Sequence, residues 1–373
     1  MMGEVLNVIH VTDGARWAGT EAHLLNLLLA ASTDSRIRFT IAVTVDGDAA
    51  ERFRLAGAQV VILHGGYARK VSTLRDELRA GRYDFVHSHG YLGSLLSVVA
   101  SLNLRMTVVT TLHGALEPGE GPATRIWWYS RMAKWLLSLR RAQCIAVSEN
   151  IARTWEQHGV SRARLTVIHN GIEWRGNPTI DSAVRGLGPV SGEKYRVGMI
   201  GRLVAVKDPI LFLRIAEAVT RVRSDVEFLI VGDGPMRTIV TAELARRALE
   251  EKVSLLGFRP DAAELAAGLD LVLFSSESEG IPYALLESMA AGVPTVAPAV
   301  GGLPEVLSNE VNALVCEERS VDALAAAVLR FVDDGTLRRK LSQGSIAAAE
   351  GNFSAHRMLN QLMDFYWARC AGN

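Results

Sequence analysis

The chain has 373 residues, 49% of them hydrophobic, which is more than one core usually organises, so two domains of about 150 to 200 residues each are expected. Lys plus Arg and Asp plus Glu both number 40, and this balance leaves no global field for gripping nucleic acid or acidic polymers. Cys144, Cys316 and Cys370 are odd in number and far apart, which excludes a disulfide framework and a thiolate metal cage and fits a reducing compartment. Met1 to Val11 lacks a basic segment followed by a long apolar run, and no segment reads as a membrane span. The expected location is the cytoplasm.

Short apolar, β-branched runs recur along the chain, each followed by a longer amphipathic stretch, as parallel strands with crossover helices require. The expected fold class is α/β. In the first half strands are predicted at Val5–Val11, Phe39–Val45, Gln59–Leu63, Phe85–His89, Thr107–Leu112, Cys144–Val147 and Leu165–His169, with helices such as Glu21–Ala31 between them. A second series comprises Tyr195–Ile200, Val226–Val231, Val253–Leu256, Leu271–Phe274, Pro294–Pro298 and Ala313–Cys316. Between the series, Gly176 to Gly192 holds four Gly, two Pro and three Ser or Thr without hydrophobic periodicity, and reads as a linker. The expected domains are therefore 1–180 and 181–373, with the last helix a candidate to pack back on the first. Residues 1–180 carry 20 basic and 15 acidic side chains and the remainder 20 and 25, so a basic half faces an acidic one. In such sheets ligands bind beyond the carboxyl ends of the strands, and the loops there hold most of the unusual residues.

Trp17-Ala18-Gly19-Thr20-Glu21 follows the first strand and opens a helix, where Gly19 permits close backbone approach to a phosphate. His87-Ser88-His89-Gly90 and Leu112-His113-Gly114 both end strands. Paired histidines invite a zinc reading, but no third ligand follows at helical spacing and no cysteine is near, so no metal is expected. Each histidine also has a bland reading as a satisfied structural group. From Arg125 to Arg141, Trp128, Met132, Trp135 and Leu139 form one helical stripe with the basic residues mostly outside it. That stripe reads either as a helix lying in an anionic membrane surface or as a core helix.

In the second half, Gly201-Arg202-Leu203-Val204-Ala205-Val206-Lys207-Asp208 directly follows a strand. Two preorganised cations there suit a diphosphate leaving group, whose charge grows as the sugar bond breaks. Gly232-Asp233-Gly234 and Gly257-Phe258-Arg259 are strand-end turns. The richest stretch runs from Phe274 to Pro294: a serine-rich strand end, Glu279-Gly280-Ile281-Pro282, then a helix carrying Glu287. Two carboxylates placed there can accept hydrogen bonds from sugar or ribose hydroxyls. Gly301-Gly302-Leu303-Pro304-Glu305 opens a further helix turn.

The segment around Glu279 and Glu287, with its Glu-Gly, Pro and second Glu eight positions on, closely resembles the signature of family 4 glycosyltransferases. The match continues through Gly201-Arg202 with Lys207, Gly257-Phe258, Leu112-His113-Gly114 and, with Ala18 replacing a glycine, Gly19 and Glu21. It extends from about Trp17 to Glu305. The resemblance implies a GT-B fold, two Rossmann-like domains facing each other across a cleft, with the nucleotide-sugar donor mainly on the C-terminal one. It implies that Arg202 and Lys207 clamp the diphosphate, that Glu287 binds the ribose, and that Glu279 and His113 lie by the transferred sugar. Gly19, Gly257, Phe258, Arg259, Gly280 and Ile281 are implied on the donor side, and His89 on the acceptor side. Ile281 stands where the family commonly has Phe.

The expected activity is a retaining transfer from a nucleotide diphosphate sugar, UDP favoured over GDP, to a hydroxyl acceptor. The acceptor classes are bacterial surface polysaccharide, lipid-linked glycan and a small natural product. No cofactor and no metal is expected, because no Asp-x-Asp pair stands in the metal-binding role and the two cations replace it. The alternatives are a sugar-nucleotide epimerase of the same fold and a non-catalytic nucleotide-sugar-binding subunit; peripheral contact at the inner face of the membrane goes with the membrane reading of the stripe.

Overall fold

A computed structural model describes residues 5–15, 17–114, 142–173 and 194–370. The expected linker and the aromatic and basic stripe at Arg125 to Arg141 lie outside the described residues. Each of the thirteen strands expected from the sequence is present, with ends shifted by at most two residues. The chain divides into two units, Met1–Glu173 with Ser354–Asn373, and Trp174–Phe353. The boundary therefore falls before residue 180, and the last twenty residues belong to the first unit rather than the second.

The first unit contains β1 (Leu6–Thr12), α1 (Gly19–Ala31), β2 (Ile37–Val43), α2 (Asp48–Leu55), β3 (Gln59–Ile62), α3 (Tyr67–Ala80), β4 (Phe85–His89), α4 (Gly90–Ala100), β5 (Thr107–Leu112), β6 (Gln143–Ala146), α5 (Glu149–Gln157) and β7 (Leu165–Val167). Its strands form one parallel sheet in the order β3-β2-β1-β4-β5-β6-β7. Strands buried on both faces must be apolar throughout, which is why they read as continuous Val/Ile/Leu runs instead of alternating ones. One face is covered by Leu74, Leu96, Ile151 and Trp155, the other by Leu24, Leu27 and Phe53.

The second unit contains β8 (Tyr195–Ile200), α6 (Pro209–Thr220), β9 (Val226–Val231), α7 (Arg237–Arg246), β10 (Val253–Gly257), α8 (Ala262–Ala267), β11 (Leu271–Leu273), α9 (Tyr283–Ala290), β12 (Thr295–Pro298), β13 (Ala313–Cys316), α10 (Val321–Asp333) and α11 (Gly335–Asn352). Its parallel sheet runs β10-β9-β8-β11-β12-β13, around a core that includes Phe212, Phe228, Leu324 and Phe331. In both sheets the strand order reverses beside the first strand, between β1 and β4 and between β8 and β11. Loops diverge at such a point and open a crevice beyond the carboxyl ends, so each unit has one place that topology reserves for a ligand.

The last helix, α12 (Ala355–Cys370), packs on the first unit. Met358, Leu359, Leu362, Met363, Phe365 and Tyr366 are all buried in the same apolar cluster as Leu24 and Leu27. Chain entry is fixed where Gly171 meets Ser354: a Cβ at Gly171 would sit 2.4 Å from the Ser354 carbonyl oxygen, and Ala355 N donates to the Ile172 carbonyl at 2.8 Å. Among the described residues no helix is long and apolar enough to cross a membrane.

Candidate functional site

At the reversal point of the second sheet, the loops after β8 and β11 meet. Lys207 Nζ lies 2.6 and 2.7 Å from the two carboxylate oxygens of Glu279. Ser276 Oγ donates to the same carboxylate at 2.5 Å. Glu279 is 7% exposed, so its charge is carried out of water and held by these two partners. The loops are also tied through the backbone, because Glu277 N donates to the Val206 carbonyl at 2.7 Å and Ser275 Oγ to the Lys207 carbonyl at 2.9 Å. Arg319, which the sequence reading passed over, completes the frame. Its Nε donates to the Ser275 and Ser276 carbonyls at 3.1 Å, and its Nη2 pairs with Asp208. Asp208 in turn caps α6 by accepting from Leu211 N at 3.0 Å. Only the fold could reveal Arg319, since it stands 111 positions from Asp208.

Glycines set the depth of this site. Gly232 has φ of +145°, and a Cβ there would fall 1.8 Å from the Gly201 carbonyl oxygen. Gly301, at φ of +58°, would place a Cβ 2.2 Å from the Glu279 carbonyl oxygen. The Gly201 and Gly232 loops thus lie in backbone contact, as do the Gly301 loop and Glu279, and any side chain at either position would separate them. Arg202, on the first of these loops, is exposed. At the edge toward β10, Phe258 is 58% exposed, while Arg259 is paired with Asp261 at 2.6 to 2.8 Å. Ile281 is 2% exposed, so at that position a ligand would meet backbone and not the side chain.

Glu287 lies on α9, and burial, followed by the like charge of Glu264, pushes its carboxyl up to about 7. Among the described residues no ion pair neutralises it, and a carboxylate buried this way costs stability. The sign follows from linkage: a folded-state value above the unfolded one means the native state holds the proton more tightly, so stability falls as pH rises from about 4.5 to 7. Glu287→Gln should therefore match the wild type near pH 4.5 and exceed it above pH 7, by about 1 to 2 kcal/mol after allowance for partial exposure. Thermal denaturation of both proteins at pH 5 and 8 measures this; a gap that does not widen with pH would remove the unpaired carboxylate from the account.

In the first unit the strand-end histidines are joined by others the sequence reading did not connect. Register pairs His10 on β1 with His87 on β4, and His89 lies two residues on, so all three side chains share one face of the sheet. His89 Nε2 is 2.9 Å from His10 Nδ1, and His89 Nδ1 is 3.0 Å from His113 Nε2. His87 bonds Tyr366 OH at 2.5 Å and Thr111 Oγ1 at 2.7 Å, and His23 on α1 bonds Asn170 Oδ1 at 3.0 Å. Burial drives all five basicities down, with His10 at about 3 and His23 at about 4. They are therefore neutral imidazoles at pH 7, each with one N–H and one acceptor nitrogen.

This arrangement corrects one expectation. His89 is 1% exposed and both of its ring nitrogens are bonded to histidines, so it offers no atom to an acceptor; it belongs to the interior of the cluster. The third histidine that is missing nearby in the sequence is supplied by the fold, which brings together two trios whose nitrogens lie within 4.8 Å of one another. In the trio of His10, His87 and His89 the rings are near-parallel, at 15 to 28°, and lone pairs lying in parallel planes do not converge on one point. In the trio of His23, His89 and His113, the His89 and His113 nitrogens are already hydrogen-bonded to each other.

Gly19 opens α1 with no atom within 4 Å of the position its Cβ would take, so nothing within the described protein demands glycine there. Ala18, in the place of a second glycine, has φ of −152°, an extended conformation open to any residue. The departure from the family pattern thus carries no backbone strain. Glu21 is buried, accepts from Thr12 Oγ1 at 3.2 Å, and is raised by burial to about 7.

Comparison with known proteins identifies the family and the fold. Residues 187–347 match the family described as Glycosyl transferases group 1, and residues 17–173 match Glycosyltransferase Family 4. The N-acetyl-alpha-D-glucosaminyl L-malate synthase of Bacillus anthracis is 32% identical over 41% of this chain and 39% of its own length. An Escherichia coli UDP-Gal:alpha-D-GlcNAc-diphosphoundecaprenol alpha-1,3-galactosyltransferase is 26% identical over 78% of this chain and 76% of its own. Among solved structures, Anabaena HepE in complex with UDP-glucose superimposes with a TM-score of 0.84 at 21% identity, covering 97% of this chain and 100% of that one. Two adjoining family matches, the paired parallel sheets and the Lys207–Glu279 and Glu287 geometry lead to one conclusion: the chain belongs to the family 4, group 1 glycosyltransferases, with the GT-B fold.

Proposed function

We propose that the chain is a retaining, metal-independent glycosyltransferase that moves a sugar from a nucleotide diphosphate donor, UDP in preference to GDP, to a hydroxyl acceptor. The observation that carries this reading is the set of Arg202, Lys207, Glu279 and Glu287 at the reversal point of the second sheet, with Lys207 and Glu279 already in contact. Glu287 accepts hydrogen bonds from the ribose hydroxyls. Arg202 and Lys207 meet the diphosphate, and Glu279, released from Lys207, turns to hydroxyls of the transferred sugar. As the bond from the anomeric carbon to phosphate oxygen breaks, the acceptor oxygen bonds to that carbon from the same face, and the departing phosphate takes the acceptor proton. Charge on the leaving group is thereby stabilised most in the transition state.

The UDP-Gal transferase and the structure holding UDP-glucose favour a UDP donor, and the diphosphoundecaprenol-linked substrate in the first of these names favours a glycan acceptor in surface polysaccharide or lipid-linked synthesis. Such a reaction would take place in the cytoplasm, at the inner membrane face for a lipid-linked acceptor. Two measurements test the proposal. In a thermal-shift panel of nucleotide sugars, a true donor at 100 times its dissociation constant should stabilise by about 2.7 kcal/mol. Transfer or hydrolysis of that donor should then survive exhaustive EDTA and release the sugar with its configuration kept; loss of turnover that magnesium or manganese restores would overturn the metal-independent mechanism.

A further inference from the structure

The contacts within the histidine cluster form a directed chain. His113 Nε2 meets His89 Nδ1, His89 Nε2 meets His10 Nδ1, and His10 Nε2 is buried with no hydrogen-bond partner. In a chain of neutral imidazoles each ring has one proton to give, so a proton placed at one link fixes every other link. Only two arrangements make both hydrogen bonds. In one, all three rings carry the proton on Nδ1 and donate outward, and His113 presents an N–H at the strand end. In the other, all three carry it on Nε2 and donate inward, and His113 presents a bare Nδ1.

The intrinsic preference of the ring decides between them: a neutral imidazole holds its proton more readily on Nε2, and the inward arrangement places it there on all three rings at once, whereas the outward one places it on Nδ1 of all three. His113 is half-buried and its Nδ1 has no hydrogen bond among the described residues, so the chain ends on an atom that can accept a hydrogen bond from a ligand at this strand end.

We propose that His10 and His89 are positioning residues that lock His113 in the Nε2–H tautomer, so that its Nδ1 accepts a hydrogen bond from a hydroxyl of the bound substrate. The identity of that hydroxyl as a sugar group rests on the function proposed above; the tautomer itself does not. His10, at 0% exposure on β1, touches no ligand and acts only through His89. His87 is stacked beside the chain but bonds Tyr366 and Thr111, so it stands outside the line of donation.

The test is the long-range nitrogen–proton spectrum of the full chain labelled on its nine histidines, with His113 assigned by its loss in His113→Gln. The expected wild-type pattern is a protonated Nε2 and an unprotonated Nδ1 on His113 at pH 7.5, with no ligand present. His10→Leu removes the terminal acceptor and should leave the His113 nitrogens averaged between tautomers, whereas His10→Asn, whose amide oxygen can accept from His89, should restore the wild-type pattern. Calorimetry with UDP should show unchanged affinity in both variants, while transfer with the donor found in the panel should fall about tenfold in kcat for the Leu variant only. A His113 protonated on Nδ1 in the wild type overturns the proposal, as does a pattern indifferent to His10→Leu. Should the Leu variant not fold, the wild-type and Asn spectra still decide. A correct tautomer with no donor found would strike the proposed function and leave the chain standing.

Discussion

Arg202→Ala and Lys207→Ala should each lower kcat/KM at least about a hundredfold, the loss of a transition-state donor worth roughly 2.7 to 4 kcal/mol. The two losses should differ in origin. Arg202 is exposed on its loop, so removing it takes a cation from the surface of the site. Lys207 is held by Glu279, so Lys207→Ala also leaves a 7% exposed carboxylate without its ion-pair partner. That variant should lose stability as well as rate, and the added change Glu279→Gln should return stability without returning rate. Steady-state kinetics with urea denaturation of the three proteins separates the effects. Near-normal turnover in a well-folded Arg202→Ala or Lys207→Ala protein would refute the diphosphate clamp.

Deleting Ser354–Asn373 should abolish cooperative folding of the first unit. The helix buries Met358, Leu359, Leu362, Met363, Phe365 and Tyr366, each at most 4% exposed. At about 1.5 to 3 kcal/mol for each side chain, their burial together is comparable with the whole stability of a domain, about 5 to 15 kcal/mol. Deletion also strips His87 Nδ1 of the Tyr366 hydroxyl, inside the cluster that supports His113. The milder Tyr366→Phe isolates that contact and should cost about 1 to 3 kcal/mol, because the buried nitrogen stays behind unpaired. A soluble truncated chain with both units unfolding cooperatively at wild-type urea midpoints would show the helix to be an appendage.

Much of this protein could be read without coordinates. Thirteen strands and the restart of the strand series follow from period and composition, because strands in a parallel sheet covered on both faces must be apolar along their length. Arg202, Lys207, Glu279 and Glu287 could be named as candidates because each lies in a short, nearly contiguous motif that resembles the family pattern; the structure adds the contact between Lys207 and Glu279.

Contacts between distant segments were decided by the tertiary structure alone. His10 is one polar residue inside an apolar strand, and its meaning appears only when parallel register sets it beside His87 and within reach of His89. His89 looked like a strand-end ligand contact and is instead an internal link, because which nitrogens are engaged depends on neighbours 79 and 24 positions away. Arg319 reaches Asp208 across 111 positions, and Tyr366 reaches His87 across 279. Periodicity shows that α12 has an apolar stripe to bury, but not which sheet receives it; that choice falls to the first unit, where Gly171 lets the Ser354 backbone come close enough for the helix to dock.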